Sequence, residues 1–286
     1  MEIKLNHQWK SQQLRKLFIA TIIIWVLFAI LFAFTDLQIS IALVDYNSQW
    51  TQVISTYGEI PGYLLVSISL TLMIRNQMIN SKWKTNLWFW ITNLFSILVT
   101  VLLLGDLLPE SIMEDSGEVI IILIYIIGQY LMIHLTKDNE YLSEQKTLIF
   151  ARVTYYLALI IPLLYVQTVK TLWGRVRFRD LALEYNNFSP WFQPRGITGN
   201  LSFPSGHTAM GWLLLPILIL VANKEGWIYR SITIVILIWG CIVALGRIVI
   251  GAHYASDVLF STGATIIVFS LLYNKFYYEI TNKDIS

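Results

Sequence analysis

Three clusters of polar residues lie between apolar segments in the second half of the chain. In chain order, their chemistry-bearing residues are Lys170 and Arg177, then Ser205, Gly206 and His207, then Arg247, His253 and Asp257. Cations hold phosphate oxygens, imidazoles attack phosphorus or move protons, and a carboxylate orients an imidazole. This set of residue types therefore predicts a site that binds a phosphate group and cleaves one of its esters.

The second cluster precedes an apolar run that predicts a helix from about Thr208. The first turn of a helix has unpaired backbone N–H groups and a partial positive charge, which suits an anion. Ser205 is suited to capping this helix, and Gly206 lets an anion approach the backbone closely. The alternative is an ordinary serine cap with His207 nearby at the membrane surface.

In the third cluster, His253 and Asp257 are four residues apart, so a helix places them on one face. A carboxylate that accepts from one ring nitrogen leaves the other nitrogen as a nucleophile or base. An ionisable pair at the start of a membrane helix is costly, so function is the default hypothesis. The alternative is a structural ion pair that joins the last helix to its neighbours.

Basic residues at the ends of apolar runs have an ordinary explanation, because a long side chain can carry its charge to water at the interface. We predict that role, or the attraction of anionic lipid, for Arg175 and Arg179. The motif spacing considered below favours phosphate binding for Lys170, Arg177 and Arg247.

The composition is that of a membrane protein, with 56% hydrophobic residues, 13% charged residues and a mean hydropathy of +0.61. A net charge of +2 gives no indication of a nucleic-acid partner. Cys241 is the single cysteine, which excludes a disulfide within the chain. We predict that Cys241 is a small buried apolar side chain.

A membrane-crossing helix requires about 20 apolar residues. The runs that meet or approach this length are Leu17–Phe34, Ile60–Ile74, Leu87–Leu104, Val119–Leu135, Leu148–Val166, His207–Val221, Tyr229–Leu245 and Tyr254–Tyr273. They predict an all-α transmembrane bundle of about eight spans. Lys and Arg residues fall at every second boundary, so the positive-inside rule places both termini in the cytoplasm and the three clusters on the extracytoplasmic side.

The three clusters together resemble the signature of the type 2 phosphatidic acid phosphatase (PAP2) superfamily, in the forms Lys170-x6-Arg177, Pro204-Ser205-Gly206-His207 and Arg247-x5-His253-x3-Asp257. That superfamily also contains vanadium haloperoxidases and bacterial acid phosphatases. The chain departs from the usual Arg-Pro at Arg177-Phe178 and from the usual Ser-Arg at Gly246-Arg247. Members commonly have six membrane helices, so eight spans imply two additional helices in the N-terminal half.

The resemblance implies a role for each matched residue. His253 would attack phosphorus to give a phosphohistidine, with Asp257 orienting it, and His207 would protonate the leaving alkoxide and then activate water. The phosphate oxygens would be held by Lys170, Arg177, Ser205, Gly206 and Arg247. We expect no metal and no cofactor, because the sequence contains no carboxylate cluster that would hold two metal ions.

We expect one integral membrane domain over residues 1–286, with scaffold helices in 1–140 and a PAP2-like catalytic core in 141–276. Leu37–Glu59 has the alternating pattern of a short amphipathic helix at the outer interface, and Asp180–Leu201 that of an irregular lid or linker. A role of the first helices in substrate access stays open.

The predicted function is hydrolysis of a lipid mono- or pyrophosphate ester by a multi-pass protein of the cell membrane, because the site lies level with lipid headgroups. Phosphatidic acid, phosphatidylglycerol phosphate, diacylglycerol pyrophosphate and a polyprenyl pyrophosphate are all candidate substrates, and the oligomeric state is not predicted. A phosphotransferase using the same site is an alternative. A lipid or anion transporter is disfavoured because the sequence shows no internal repeat, and a haloperoxidase is disfavoured by the membrane setting.

Overall fold

The structure is a computed structural model that describes residues 2–79, 91–97, 145–222 and 226–281, together with 99, 123, 126–128, 131 and 134. Regular secondary structure in these residues is helical, and no strand occurs among them. The predicted all-α class is therefore confirmed for the described part of the chain.

The N-terminal part contains α1 (Glu2–Leu43), α2 (Gln49–Tyr57) and α3 (Ile60–Ile79). The C-terminal part contains α4 (Gln145–Ala158), a π-helical stretch (Leu159–Val166), α5 (Gln167–Trp173), α6 (Gly206–Trp212), α7 (Ile217–Val221), α8 (Gly226–Val249) and α9 (Ala255–Thr281). The π-helical stretch contains Pro162, which has no N–H for the helical ladder and widens the turn between α4 and α5.

Among the described residues, five helical stretches are long and apolar enough to cross a membrane: Ile19–Leu43, Gln49–Gln77, Gln145–Asp180, Gly226–Val249 and Ala255–Phe276. Gly206–Val221 is a shorter apolar helical stretch. The predicted spans Leu87–Leu104 and Val119–Leu135 lie mostly outside the described residues. The total of eight spans and the location of the termini therefore stay predictions.

The core forms where α3, the α4–α5 helix, α6 and α9 pack together. Its most deeply buried apolar residues include Val66, Leu70, Leu157, Ala209 and Leu213. By contrast, α8 presents large apolar side chains on its outer face, and Cys241 is exposed among them. The prediction that Cys241 is buried is wrong, because an apolar residue in a membrane helix can face lipid as readily as the protein interior.

Several helices meet at one of their ends, and the polar clusters lie at these ends. Gly174 ends α5 in the left-handed conformation (φ 61°), where a Cβ would overlap the Gly196 carbonyl. The backbone N–H of Ser205, just before α6, donates to the Asp257 carbonyl in the first turn of α9 (3.1 Å). Ser261 Oγ in turn donates to the Ser205 carbonyl (2.7 Å). The second and third clusters are thus joined directly.

The segment between α5 and α6 is irregular apart from one 3-10 turn, as predicted for Asp180–Leu201. Two hydrogen bonds hold it in place: Ser202 N–H donates to Arg175 O within the segment (3.0 Å), and Trp191 Nε1 donates to Ala29 O of α1 (2.9 Å). The second bond ties this segment to α1.

Only part of the predicted amphipathic segment Leu37–Glu59 forms a separate short helix. α1 continues to Leu43, and α2 covers Gln49–Tyr57. α2 packs against α8, and its Ile54 lies over Gly246 near the end of α8. The N-terminal part therefore contacts the third cluster.

Candidate active site

His253 lies in the turn between α8 and α9, and the residue is almost completely buried (1% exposed). Its Nδ1 is 3.4 Å from Asp257 Oδ2, which is an ion-pair distance but too long for a well-formed hydrogen bond. Burial lowers the pKa of His253 to about 3, against the opposing influence of Asp257. The imidazole is therefore neutral at neutral pH and keeps the lone pair that a nucleophile requires.

Asp257 is fixed by several hydrogen-bond donors. Its Oδ2 accepts from Ser202 Oγ (2.6 Å) and from the Tyr254 N–H (3.0 Å), and its Oδ1 accepts from Arg175 Nη1 (2.5 Å). The side chain has no exposed area. A carboxylate held by this many donors stays ionised and has a single orientation.

Arg175 is the centre of this buried network, and the prediction of an interfacial or lipid-attracting role for it is wrong. Its Nη2 pairs with Asp36 Oδ2 (2.9 Å), and its Nε donates to Ser189 O (2.9 Å). The guanidinium also stacks on Tyr254, with Cζ 4.0 Å from the ring centroid. Arg175 tolerates burial because two carboxylates, Asp36 and Asp257, neutralise its charge.

Asp36 of α1 was not predicted from the sequence as part of the site. It is buried (1% exposed), accepts from the Ser256 N–H (2.9 Å) and also accepts from Ser256 Oγ. A single acidic residue directly after an apolar run was the only available signal.

His207 occupies the other side of the cluster, at the start of α6. Its Nδ1 is 2.8 Å from Glu59 Oε1, and its Nε2 is 3.0 Å from the Ser55 carbonyl oxygen. The other Glu59 oxygen accepts from Tyr63 Oη (3.2 Å). Sequence reasoning did not predict Ser55 or Glu59, since neither belongs to a motif.

The predicted cations converge on the same region. Lys170 Nζ lies beside Gly206, 3.4 Å from where a Cβ would be. Lys170 interacts electrostatically with Arg177, Arg247 and Glu59. Arg247 is buried (5% exposed), and its Nη1 donates to Ser55 Oγ, on the residue whose carbonyl faces His207. Ser55 thus connects Arg247 to His207.

Two guanidinium nitrogens in this cluster, Arg177 Nε and Arg247 Nε, are buried and have no hydrogen-bond partner among the described residues. Buried polar groups are nearly always hydrogen-bonded. Donors of this kind, in a group of three cations, are suited to an anionic ligand with several oxygens.

Ser205 caps α6 as predicted. Its Oγ accepts from the Thr208 N–H (3.4 Å) and from Thr208 Oγ1 (2.9 Å), and the side chain is buried. Its own hydroxyl hydrogen stays available for another acceptor.

The two departures from the family pattern are explained by packing. Arg177 already has the extended backbone (φ −71°, ψ 153°) that a following proline would impose. Phe178 is buried and stacks on Tyr185, with ring centroids 5.8 Å apart. A Cβ at Gly246 would lie 3.0 Å from Ile54 Cγ2, so α2 occupies the space that a serine would need.

A cavity of ≈ 240 Å³ opens beside the polar cluster. Glu59, Lys170, Gly206 and His207 line its polar end. Most of its remaining lining is apolar: Val66, Phe95, Val99, Ala158, Pro162, Leu163, Met210 and Leu213. The cavity is therefore lined both by polar groups, which include the Lys170 cation, and by apolar side chains of several helices.

A comparison with protein-family models matches residues 151–281 to the PAP2 superfamily. All three clusters fall within the matched segment. The matched segment, residues 151–281, is called the PAP2 domain below. Asp36, Ser55 and Glu59 contact this PAP2 domain from outside it, and Arg175 lies within it, between the motif residues Lys170 and Arg177. Neither a comparison with curated proteins nor one with solved structures gave a match.

Proposed function

We propose that this protein is a membrane lipid phosphatase that cleaves a phosphate mono- or pyrophosphate ester through a phosphohistidine intermediate. PAP2 superfamily membership supports a phosphatase-type activity. The observation that carries the proposal is the convergence of three cations and two imidazoles. The His253 imidazole lies beside Asp257, and the His207 imidazole lies beside Glu59.

In the first chemical step, His253 Nε2 attacks phosphorus, because Nδ1 faces Asp257. The new P–N bond forms as the P–O bond to the lipid alcohol breaks. The imidazole ring gains positive charge in this step, and the fixed Asp257 carboxylate stabilises that charge.

The phosphate oxygens are held by Lys170, Arg177 and Arg247, with Ser205 and the Gly206 N–H as further donors. Phosphoryl transfer depends chiefly on in-line positioning and on positive charge around the three equatorial oxygens. The unpaired Nε groups of Arg177 and Arg247 are available for this purpose. The proposed mechanism therefore requires no metal ion.

His207 protonates the leaving alkoxide, which is otherwise a poor leaving group. In the second step it takes a proton from water, and the resulting hydroxide breaks the P–N bond. Inorganic phosphate is the product, and His253 returns to its neutral form.

The apolar cavity supports a lipid substrate. Its polar end contains Lys170 and His207, and its remaining lining is mainly apolar. A lipid whose hydrocarbon chain binds in the apolar part would therefore have its phosphate beside the cations. The distribution of Lys and Arg between the apolar runs supports an extracytoplasmic location for the site.

The test is phosphate release by the purified protein in mixed micelles, with chelator present, from a panel of lipid mono- and pyrophosphates. We expect at least one lipid to be hydrolysed and His253→Ala to lower kcat/KM by about 10³-fold or more, because the nucleophile is lost. His134→Ala, at an exposed histidine outside the PAP2 domain, is the matched control and should retain activity.

Two results would contradict the proposal: a folded wild-type protein that releases no phosphate from any lipid, or a His253→Ala variant as active as wild type. Labelled phosphate that moves to an added lipid or sugar acceptor, with none released, would instead identify a phosphotransferase.

A further inference from the structure

Both ring nitrogens of His207 face hydrogen-bond acceptors. Nε2 lies 3.0 Å from the Ser55 backbone carbonyl, and Nδ1 lies 2.8 Å from Glu59 Oε1. A carbonyl oxygen has no hydrogen to donate, so Nε2 must carry one. The state of Nδ1 therefore depends on whether Glu59 is ionised.

The surroundings of Glu59 favour its ionised form. Its second oxygen already accepts from Tyr63 Oη (3.2 Å), and both Lys170 and Arg247 exert a favourable electrostatic influence on it. An ionised carboxylate can only accept, so Nδ1 must carry a hydrogen as well. The arrangement therefore holds His207 as an imidazolium.

We propose that Glu59, outside the PAP2 domain, is the positioning residue that keeps His207 in the acid form needed to protonate the leaving group. This inference rests on the proposed phosphatase function and assigns to the N-terminal half a direct part in that reaction. Glu59 acts through His207 and does not itself touch the phosphate.

The proton balance is complete without another reactant. When substrate binds, the Nε2–H of His207 stops donating to the Ser55 carbonyl and donates to the leaving oxygen instead. The proton then transfers to that oxygen as the P–O bond breaks. His207 is then neutral, with Nδ1–H still donating to Glu59. The free Nε2 lone pair takes a proton from water in the second step, and Glu59 stays ionised throughout.

The charges that face His207 come from three elements. Glu59, between α2 and α3, contacts the ring directly, Lys170 of α5 lines the same cavity as His207, and Arg247 of α8 shares Ser55 with it. With Glu59 neutralised, only the cations remain. We therefore expect Glu59→Gln to weaken His207 as a proton donor.

The experiment compares wild type and Glu59→Gln on two substrates: the best lipid phosphate from the panel and 2,4-dinitrophenyl phosphate, whose leaving group needs no proton. Because kcat/KM reports the steps up to leaving-group departure, we expect it to fall by about 10²- to 10⁴-fold for the lipid. For dinitrophenyl phosphate the fall should be much smaller. Glu184→Gln, the same change at an exposed loop position, is the control.

Equal losses on both substrates, or no loss on the lipid, would overturn the inference while leaving the proposed function intact. Wild-type protein that is inactive on every lipid would instead overturn the proposed function.

A second measurement does not depend on a variant of Glu59 that folds. In wild-type protein labelled with ¹⁵N-histidine, the His207 ring is assigned by comparison with His207→Gln. Both ring nitrogens should show the chemical shifts of protonated nitrogen at neutral pH. One unprotonated ring nitrogen would overturn the inference.

Discussion

At the scale of single residues, the nucleophile depends on a buried network of three charges. Asp36, Arg175 and Asp257 are each almost completely buried and are joined through the guanidinium. With both carboxylates ionised, the two carboxylates and one guanidinium carry a net charge of −1 beside the neutral His253. That excess negative charge favours the imidazole ring as it gains positive charge during phosphoryl transfer.

We predict that Arg175→Met lowers the free energy of unfolding by about 3–5 kcal/mol, because it leaves two buried carboxylates without their shared cation. Thermal unfolding in detergent measures this as a lower midpoint, and phosphatase activity should fall with it. Adding Asp36→Asn should recover part of the stability, since it removes one unpaired charge.

Arg152→Met is the matched control, because Arg152 is exposed on α4. An Arg175→Met protein with the same unfolding midpoint as the Arg152→Met protein would show that the buried network does not stabilise the fold.

At the scale of elements, the short helix α2 brings the N-terminal half into contact with the PAP2 domain. Its Ser55 faces both His207 and Arg247, and its Ile54 covers Gly246. The close approach of α2 to α8 requires a residue without a side chain at Gly246. This geometry accounts for glycine where serine is usual in the family.

We predict that Gly246→Ser, which restores the usual family residue, destabilises the protein by about 1–3 kcal/mol because it overpacks this contact. It should also lower kcat/KM, since α2 carries the Ser55 carbonyl that faces His207. Unfolding midpoint and phosphate release are the measurements.

The control is Gly226→Ser in the same helix, where an added Cβ meets no atom within 4 Å. A Gly246→Ser protein that is more active than wild type would contradict this prediction. It would show that a serine hydroxyl at this position contributes more to activity than the close approach of α2.

At the scale of the whole molecule, the two halves of the chain build the site together. α1 packs along α9, and Trp25 Nε1 donates to Leu259 O (3.2 Å). Asp36 and Glu59 then approach the PAP2 domain from two different helical segments. We therefore expect the isolated segment 151–281 to be an incomplete enzyme.

The site lies on the same side of the membrane as the segment between α5 and α6, so the location of that segment gives the location of the site. Leu183 in this segment is 99% exposed. We predict that Leu183→Cys, in a Cys241→Ser background, reacts with a membrane-impermeant thiol reagent on intact cells. Ser286→Cys in the same background should react only after permeabilisation, because positive charge predicts a cytoplasmic C-terminus. The reverse labelling pattern would place the site on the cytoplasmic side.

Local pattern accounts for what the sequence predicted correctly. Helices follow from long apolar runs, and the Ser205 cap follows from a serine placed before such a run. The three clusters were found because their residues have characteristic spacing within short segments. The prediction that Lys170, His207 and Arg247 lie together depended on the family resemblance, because the tertiary arrangement of these motifs is known in the family.

The sequence by itself determined the helical class and five of the apolar spans among the described residues, and it identified the residues of the three clusters. Only the tertiary structure decided that Arg175 is a buried centre and that Asp36, Ser55 and Glu59 support the site. The Arg175–Asp36 contact spans 139 residues, and the His207–Ser55 contact spans 152. Periodicity and capping act over a few residues, so a single polar residue carries no local sign of a partner that only folding brings near.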